Sequence, residues 1–377
     1  MPADATPWFL RHPRWTLALV ALAGIVLVVG VLVAVEAGLR RADRKPQAVP
    51  PPERVMRFRE SPLDADLLLR PEAAMLADAD GLEDVPVRFQ TDGDGFILPA
   101  RRHASADLTV LFLGGSTTAC LFVPDSLRFH ALTATRLEAQ TGRRVDALNA
   151  ARTGNHVLHS QALLLGKGVP QTPDVVVVMH AVNDLTTLLR AGDYWNDNPS
   201  RGLLIDDPCQ TPGCHLRLGL RGLGGALFPA LGRRLRPQAA RVSEFDGPVV
   251  APDTAFVQAR FRSALVGVVE SARAWGITPV LMTQANRFTP EPQPTLAFPH
   301  DDLGLSYAAY RAQYVAFNAI TRSVAADLGV PVVDLDAIVP RDRAHLYDYV
   351  HLTAAGSRLV AEALADTLAT RALPPSP

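Results

Sequence analysis

Apolar residues fall along this chain in three kinds of run, and each predicts a different element. The longest, residues 16–35, carries no charge and is almost entirely Leu, Val, Ala, Ile and Gly. A helix apolar on every face, with the roughly twenty residues that cross a bilayer core, reads as a membrane span. Trp8 and Trp15 stand where interfacial aromatics belong. Shorter runs at 109–113, 145–149, 175–178, 277–283 and 330–335 are continuous rather than alternating, which suits strands buried on both faces. The remaining apolar residues recur at helical spacing, over 126–139, 256–275 and 307–328 and in a final helix that Thr353 can cap.

From residue 109 onward the strand-like and helix-like stretches alternate, which predicts an α/β domain with a parallel sheet and helices on both faces. The chain then divides into a tail (1–15), a transmembrane helix (16–39), a Pro-rich linker (40–54), an accessory region (55–106) and the α/β domain (107–372). Residues 91–95, Thr-Asp-Gly-Asp-Gly, read as a turn within the accessory region. Two excursions, near 191–252 and 286–305, interrupt the alternation. Loops of that length within a compact domain are usually functional or disordered.

Composition changes this picture little. A formal net charge of -1 over 377 residues gives no reason to expect a nucleic-acid partner. Three cysteines exclude a disulfide framework and a Cys-rich zinc module. Cys209 and Cys214 could close a small loop in an oxidising compartment, whereas Cys120 reads as buried. Arg11 and Arg14 precede the apolar span, and Arg40, Arg41, Arg44 and Lys45 follow it. Charge counting alone would keep the domain inside, but long domains translocate largely regardless of charge, and the possible bridge favours the outside. His156 and His159 mimic a metal pair, yet no carboxylate or cysteine beside them in sequence completes a set, so they read as site-lining or structural. The basic segment 216–236 reads as a lid with a solvated face.

Candidate chemistry centres on residues 111–118, where an apolar run ends in Gly114, Gly115 and Ser116. A serine there stands at the carboxyl end of a strand, where open α/β sheets place ligands. Taken alone, Ser116 or Thr117 could equally be an ordinary helix N-cap. Near the C-terminus, Asp348 lies three residues before His351 and just ahead of a helix. That spacing lets the carboxylate hold one imidazole nitrogen while the other takes a proton from a serine. Gly154 follows the second strand and Asn183 the third, and each can donate a hydrogen bond to a developing oxyanion. Asp184, beside Asn183, reads as a charge at a helix N-terminus.

In this order, Ser116, Gly154, Asn183, then Asp348 and His351, the motifs resemble the SGNH subgroup of the GDSL esterase/lipase superfamily, over about 109–368 without the two excursions. The resemblance implies the SGNH hydrolase fold, a flavodoxin-like three-layer sandwich around a parallel sheet. It implies Ser116 as nucleophile, His351 as base and Asp348 as its orienter. It also implies an oxyanion hole built from the backbone N–H groups of Ser116 and Gly154 and the Asn183 amide, with no cofactor and no metal. Two positions depart from the family pattern. Gly115 replaces the usual Asp of the first block, a form similar to that of membrane-anchored bacterial members, and Ala181 replaces a usual Gly.

The expectation is a membrane-anchored serine esterase with its domain outside the cytoplasm, in the periplasm. It would hydrolyse acyl esters, notably O-acetyl esters, on cell-envelope glycans or lipids through an acyl-enzyme. The same residues would run an O-acetyltransferase if a sugar hydroxyl replaced water as acceptor. A non-catalytic envelope-assembly module is the alternative of a different class. The expected partners are an ester substrate, on a glycan, a lipid or a small molecule, and the membrane; the oligomeric state is not legible in the sequence.

Overall fold

The five short apolar runs become one parallel sheet in the computed structural model, which describes residues 7–42, 54–196, 198, 201–206, 253–298, 303 and 305–373. The chain divides into two units, Met1–Glu53 and Arg54–Pro377. In the first, helix α1 (Pro13–Ala42) takes in the whole uncharged run as backbone. Among the described residues, no helix is long and apolar enough to cross a membrane.

The second unit opens with β1 (Arg54–Met56), β2 (Asp66–Leu69), α2 (Ala73–Asp78) and β3 (Val87–Gln90). The α/β repeat follows: β4 (Leu108–Gly114), α3 (Ser116–Ala119), α4 (Phe129–Thr141), β5 (Val145–Asn149), α5 (Val157–Leu163), β6 (Val175–Met179) and α6 (Val182–Ala191). After β7 (Leu204–Asp206) come α7 (Thr254–Ala274), β8 (Thr278–Met282), α8 (Tyr307–Leu328), β9 (Val332–Val333) and α9 (Ala354–Thr367).

The main sheet runs β5-β4-β6-β8-β9, all parallel. Counted along the chain, that is the flavodoxin-like order in which the first strand lies between the second and third. Alternate strand residues face opposite layers. Leu111, Leu113, Val176 and Val178 pack with Phe261 of α7 and Phe317 of α8. Val110, Phe112, Val177 and Met179 pack with Phe129 of α4 and Leu364 of α9. Burial on both faces is why these strands read as unbroken apolar runs.

Most element ends shift by a residue or two from the sequence pattern, and two departures have a visible reason. The last strand ends at Val333 rather than 335, because the Asp334 carboxylate leaves the sheet for Arg322 and the Thr283 hydroxyl. The helix expected from 126 begins at Phe129. Arg128 is extended there, and its buried guanidinium donates to the carbonyls of Cys120, Leu98 and Arg88. The accessory region borders β5: Ile97 bridges Asn149, and the Ala147 N–H donates to the Ala100 carbonyl. The turn at 91–95 forms as expected, with Asp92 Oδ1 accepting from the N–H groups of Asp94 and Phe96. Cys209, Cys214 and the basic segment 216–236 lie outside the described residues.

Candidate active site

Where β4 ends, the chain has no room for side chains. A Cβ on Gly114 would fall 2.1 Å from Thr118 Oγ1, and one on Gly115 would fall 2.2 Å from Asn183 Nδ2. Close approach of other groups therefore demands both glycines. Gly115, not a serine or threonine, is the N-cap of α3, and no side chain caps that helix. The capping alternative for Ser116 and Thr117 fails on that geometry. Thr117 Oγ1 instead accepts from Gln284 Nε2, while the Ser116 hydroxyl meets His351 Nε2 at 2.8 Å.

The histidine is held from its other side. His351 Nδ1 lies 2.7 Å from Asp348 Oδ2, and Asp348 Oδ1 accepts the N–H groups of Val350 and His351 at 2.8 Å each. The loop is closed where the Tyr347 N–H donates to the His351 carbonyl. The Tyr347 ring stacks on the imidazole with centroids 5.4 Å apart. Burial pushes the Asp348 carboxyl up, but the imidazole charge and the hydrogen bonds from His351 and the backbone outweigh it, so its pKa lies below the usual value. Burial likewise pulls His351 down, and the Asp348 charge and hydrogen bond override it to a net rise. Each side chain keeps 23% of its surface open, so the pair is reachable from the cavity above it. A neutral His351 that donates from Nδ1 to the carboxylate leaves Nε2 to accept the serine proton.

Gly154 and Asn183 converge on the same cavity as Ser116. Gly154 adopts φ +80°, a conformation open to glycine at little cost. Asn183 does not cap α6, whose N-cap is Ala181. Its Nδ2 donates to the Asn155 carbonyl at 3.0 Å and its Oδ1 accepts from Arg201. Ala181 has φ -168°, outside the left-handed region that favours glycine, so the departure at this position does not call for one. The structure thus brings together all five residues singled out in the sequence.

The nearby histidines are structural. The His156 and His159 rings pack with centroids 3.7 Å apart and planes tilted by 33°, and each side chain completes the other's cap at the start of α5. Burial holds both neutral, lowering His159 to about 3. Among the described residues no cluster of His, Cys, Asp and Glu could hold a metal ion. Asp184 is more than a helix-terminal charge. It is fully buried, accepts from the Val157 N–H and the Tyr194 hydroxyl, and lies 3.2 Å from His180. Thus a carboxylate does approach the histidine cluster, from a part of the sequence remote from it.

Above Ser116 opens a cavity of about 470 Å³. Leu82, Phe122 and Tyr347 form one wall, Phe288 and Tyr349 another, and Arg190 and Arg201 line it as well. The accessory region closes over one side, where the Gly81 N–H donates to the Tyr347 carbonyl and Asp80 pairs with Arg287. Asp80, Arg287, Arg59 and Arg201 were invisible as site residues in the sequence. No local motif marks them, and all four act through contacts between distant segments.

The GDSL-like lipase/acylhydrolase family matches residues 112–359, well over half of the chain. No curated protein matches the sequence. Among solved structures, similar chains include LAE5, an α/β hydrolase from the metagenome of Lake Arreo, Spain, at 17% identity and TM-score 0.42 over 70% of this chain and 95% of that one. Another is Axe2, an acetylxylan esterase from Geobacillus stearothermophilus, at 14% identity and TM-score 0.42 over 72% of this chain and 99% of that one.

Proposed function

From the premise that this chain belongs to the GDSL-like lipase/acylhydrolase family and is an ester hydrolase of the SGNH type, we propose that it is a membrane-anchored serine esterase acting outside the cytoplasm. The observation that carries the mechanism is the continuous chain from Asp348 through His351 to the Ser116 hydroxyl, with contacts of 2.7 and 2.8 Å. Ser116 attacks the ester carbonyl while His351 takes its proton, and the imidazolium returns that proton to the leaving alcohol. The N–H groups of Ser116 and Gly154 and the Asn183 amide receive the oxyanion. Water, activated by the same histidine, then releases the acid from the acyl-enzyme.

A cavity of about 470 Å³ lies in the range of small-molecule sites. Most of its lining is apolar, and Thr153, Asn183, Arg190 and Arg201 supply polar groups within it. A short acyl group, such as acetyl, on a polar alcohol of an envelope glycan would use both kinds of contact. Anchoring is supported by α1, where Leu17, Leu19, Val20, Leu22 and Ile25 all lie more than half exposed. Those positions point to every side of the helix, which in water would leave a large apolar surface unburied.

A fluorophosphonate probe tests the mechanism: it should label the protein but not Ser116→Ala, and an unlabelled folded protein would point to a binding module instead. p-Nitrophenyl acetate should be turned over faster than long-chain esters; the reverse order would favour lipids. Adding an oligosaccharide acceptor separates hydrolysis from transfer, since only a transferase would move acetyl to the sugar. Protease digestion of spheroplasts should remove the domain, and protection would place it in the cytoplasm.

A further inference from the structure

Two buried guanidiniums stand behind the oxyanion donors, and neither comes from the strand–helix core. The antiparallel pairing of β1 with β7 sets Met56 opposite Leu204, which draws together the residues just after one strand and just before the other. Arg59 and Arg201 are those residues, 8% and 4% exposed. Arg59 Nη2 donates to the Thr153 carbonyl at 3.2 Å. That carbonyl and the Gly154 N–H are the two ends of one peptide. Arg201 Nη1 donates to Asn183 Oδ1 at 3.2 Å and also to the Gly154 carbonyl. A Cβ on Gly154 would fall 2.8 Å from Arg201 Nη1 and 3.1 Å from Arg59 Nη2, so the glycine is enclosed by both cations.

The same chemistry operates at both amides. A guanidinium only donates, and the Asn155 carbonyl at Asn183 Nδ2 only accepts, so the Asn183 amide has one possible orientation. In each amide the cation holds the oxygen, while the nitrogen is the donor assigned to the oxyanion. Positive charge on an amide oxygen draws density from the nitrogen through the amide π system and makes its N–H a stronger donor. In a buried site such chained hydrogen bonds strengthen one another. They are formed before substrate arrives and need no reorganisation when charge develops.

We propose that Arg59 and Arg201 are positioning residues that orient and polarise the two outer oxyanion donors, Arg59 through the 153–154 peptide and Arg201 through the Asn183 amide. The inference rests on the esterase reading above. Both segments outside the strand–helix repeat, the accessory region and the first excursion, thereby serve the same catalytic element.

The test uses the full-length protein and p-nitrophenyl acetate, with Arg59→Met and Arg201→Met made alone and in an Asn183→Ala background. Each single change should lower kcat by about 10- to 100-fold with KM unchanged, the pattern of a lost transition-state interaction. Arg201→Met should cost less than about threefold once Asn183 is alanine, because residues acting through one group are not additive. Arg59→Met should keep its full cost there, since it acts through Gly154. Final labelling of Ser116 by a fluorophosphonate and a retained thermal transition establish that each variant is folded. If a methionine variant fails to fold, the lysine variant carries the comparison, with kcat lowered by at least about fivefold. Wild-type kcat in a folded variant, a loss confined to KM, or fully multiplicative costs for Arg201→Met and Asn183→Ala would each overturn the proposal. A Ser116→Ala protein as active as wild type would instead remove the esterase reading on which it rests.

Discussion

At the residue scale, the chemistry turns on how Asp348 tunes His351. Burial alone would lower the imidazole, yet the carboxylate raises it above its ordinary value of about 6.5. The base must be neutral to take the serine proton, so kcat/KM should fall as pH drops through that raised pKa. Asp348→Asn leaves burial as the main influence. Its acid limb should therefore move below that of the wild type, while kcat falls by about 10⁴-fold. A pH profile of both proteins on an activated ester checks this, and an unmoved acid limb would refute it. Gly115 yields a second prediction. Its backbone is extended at φ -95°, so alanine meets no conformational penalty, but the new Cβ would strike the Asn183 amide at 2.2 Å. Gly115→Ala should still fold, with a lowered melting temperature because the Asn183 amide must leave its hydrogen bonds to Asn155 and Arg201. It should lose about 100-fold in kcat, the cost of one displaced oxyanion donor. Ser116, Gly154, Asn183, Asp348 and His351 were legible because each sits at a strand end or helix start that the apolar pattern marks. The need for a glycine at position 115 was not legible, since it depends on where Asn183 Nδ2 comes to rest.

At the scale of elements, legibility followed how local the determining contacts are. β5 (Val145–Asn149) and α8 (Tyr307–Leu328) match their sequence patterns at both ends, because continuous apolar burial and helical spacing suffice to define them. Thr353 caps α9 as its sequence suggests, accepting from the Gly356 N–H. The accessory region resisted assignment because its partners are remote. β1 pairs with β7 across the α/β repeat, and Asp80 pairs with Arg287 beside the final loop of the site. That ion pair is well buried, and Arg287 also donates to the Leu346 carbonyl. Its hydrogen bonds with Arg287 hold the Asp80 carboxyl below its usual range against the opposing effect of burial. Removing only the acid leaves a buried guanidinium uncompensated, which costs about 3–5 kcal/mol in such settings. Urea unfolding of Asp80→Ala should show a loss of that order, and Asp80→Ala with Arg287→Met should recover part of it. Equal stabilities for the single and double variants would mean that the pair does not hold this region to the site.

At the scale of the whole molecule, the flavodoxin-like strand order explains why residues so far apart in sequence act together. β4 lies between β5 and β6, so the loops after all three strands open at one edge, and the residues after them are Ser116, Gly154 and Asn183. The packing that builds this edge also buries histidines in neutral form. Burial lowers His130 to about 3, with the Arg128 charge adding to the effect, and lowers His159 to about 3. In the unfolded chain each titrates near 6.5. A group whose folded pKa is depressed contributes stability that is fully present above its unfolded value and lost as pH falls below it, because the unfolded state binds the proton first. Each such histidine therefore subtracts about 1.4 kcal/mol per pH unit between roughly pH 6.5 and 3. The raised His351 acts oppositely: its contribution is complete below about 6.5 and disappears as pH rises through its folded pKa. Over the acid range the buried group dominates, with His156 adding to it in the same direction. Denaturant unfolding from pH 7 to 4 should show stability falling steadily, and His130→Phe should flatten that slope by about one proton, whatever it does to stability at pH 7. A slope unchanged by the substitution would show that His130 takes up its proton in the native core, against the packing seen around Phe112 and Phe129.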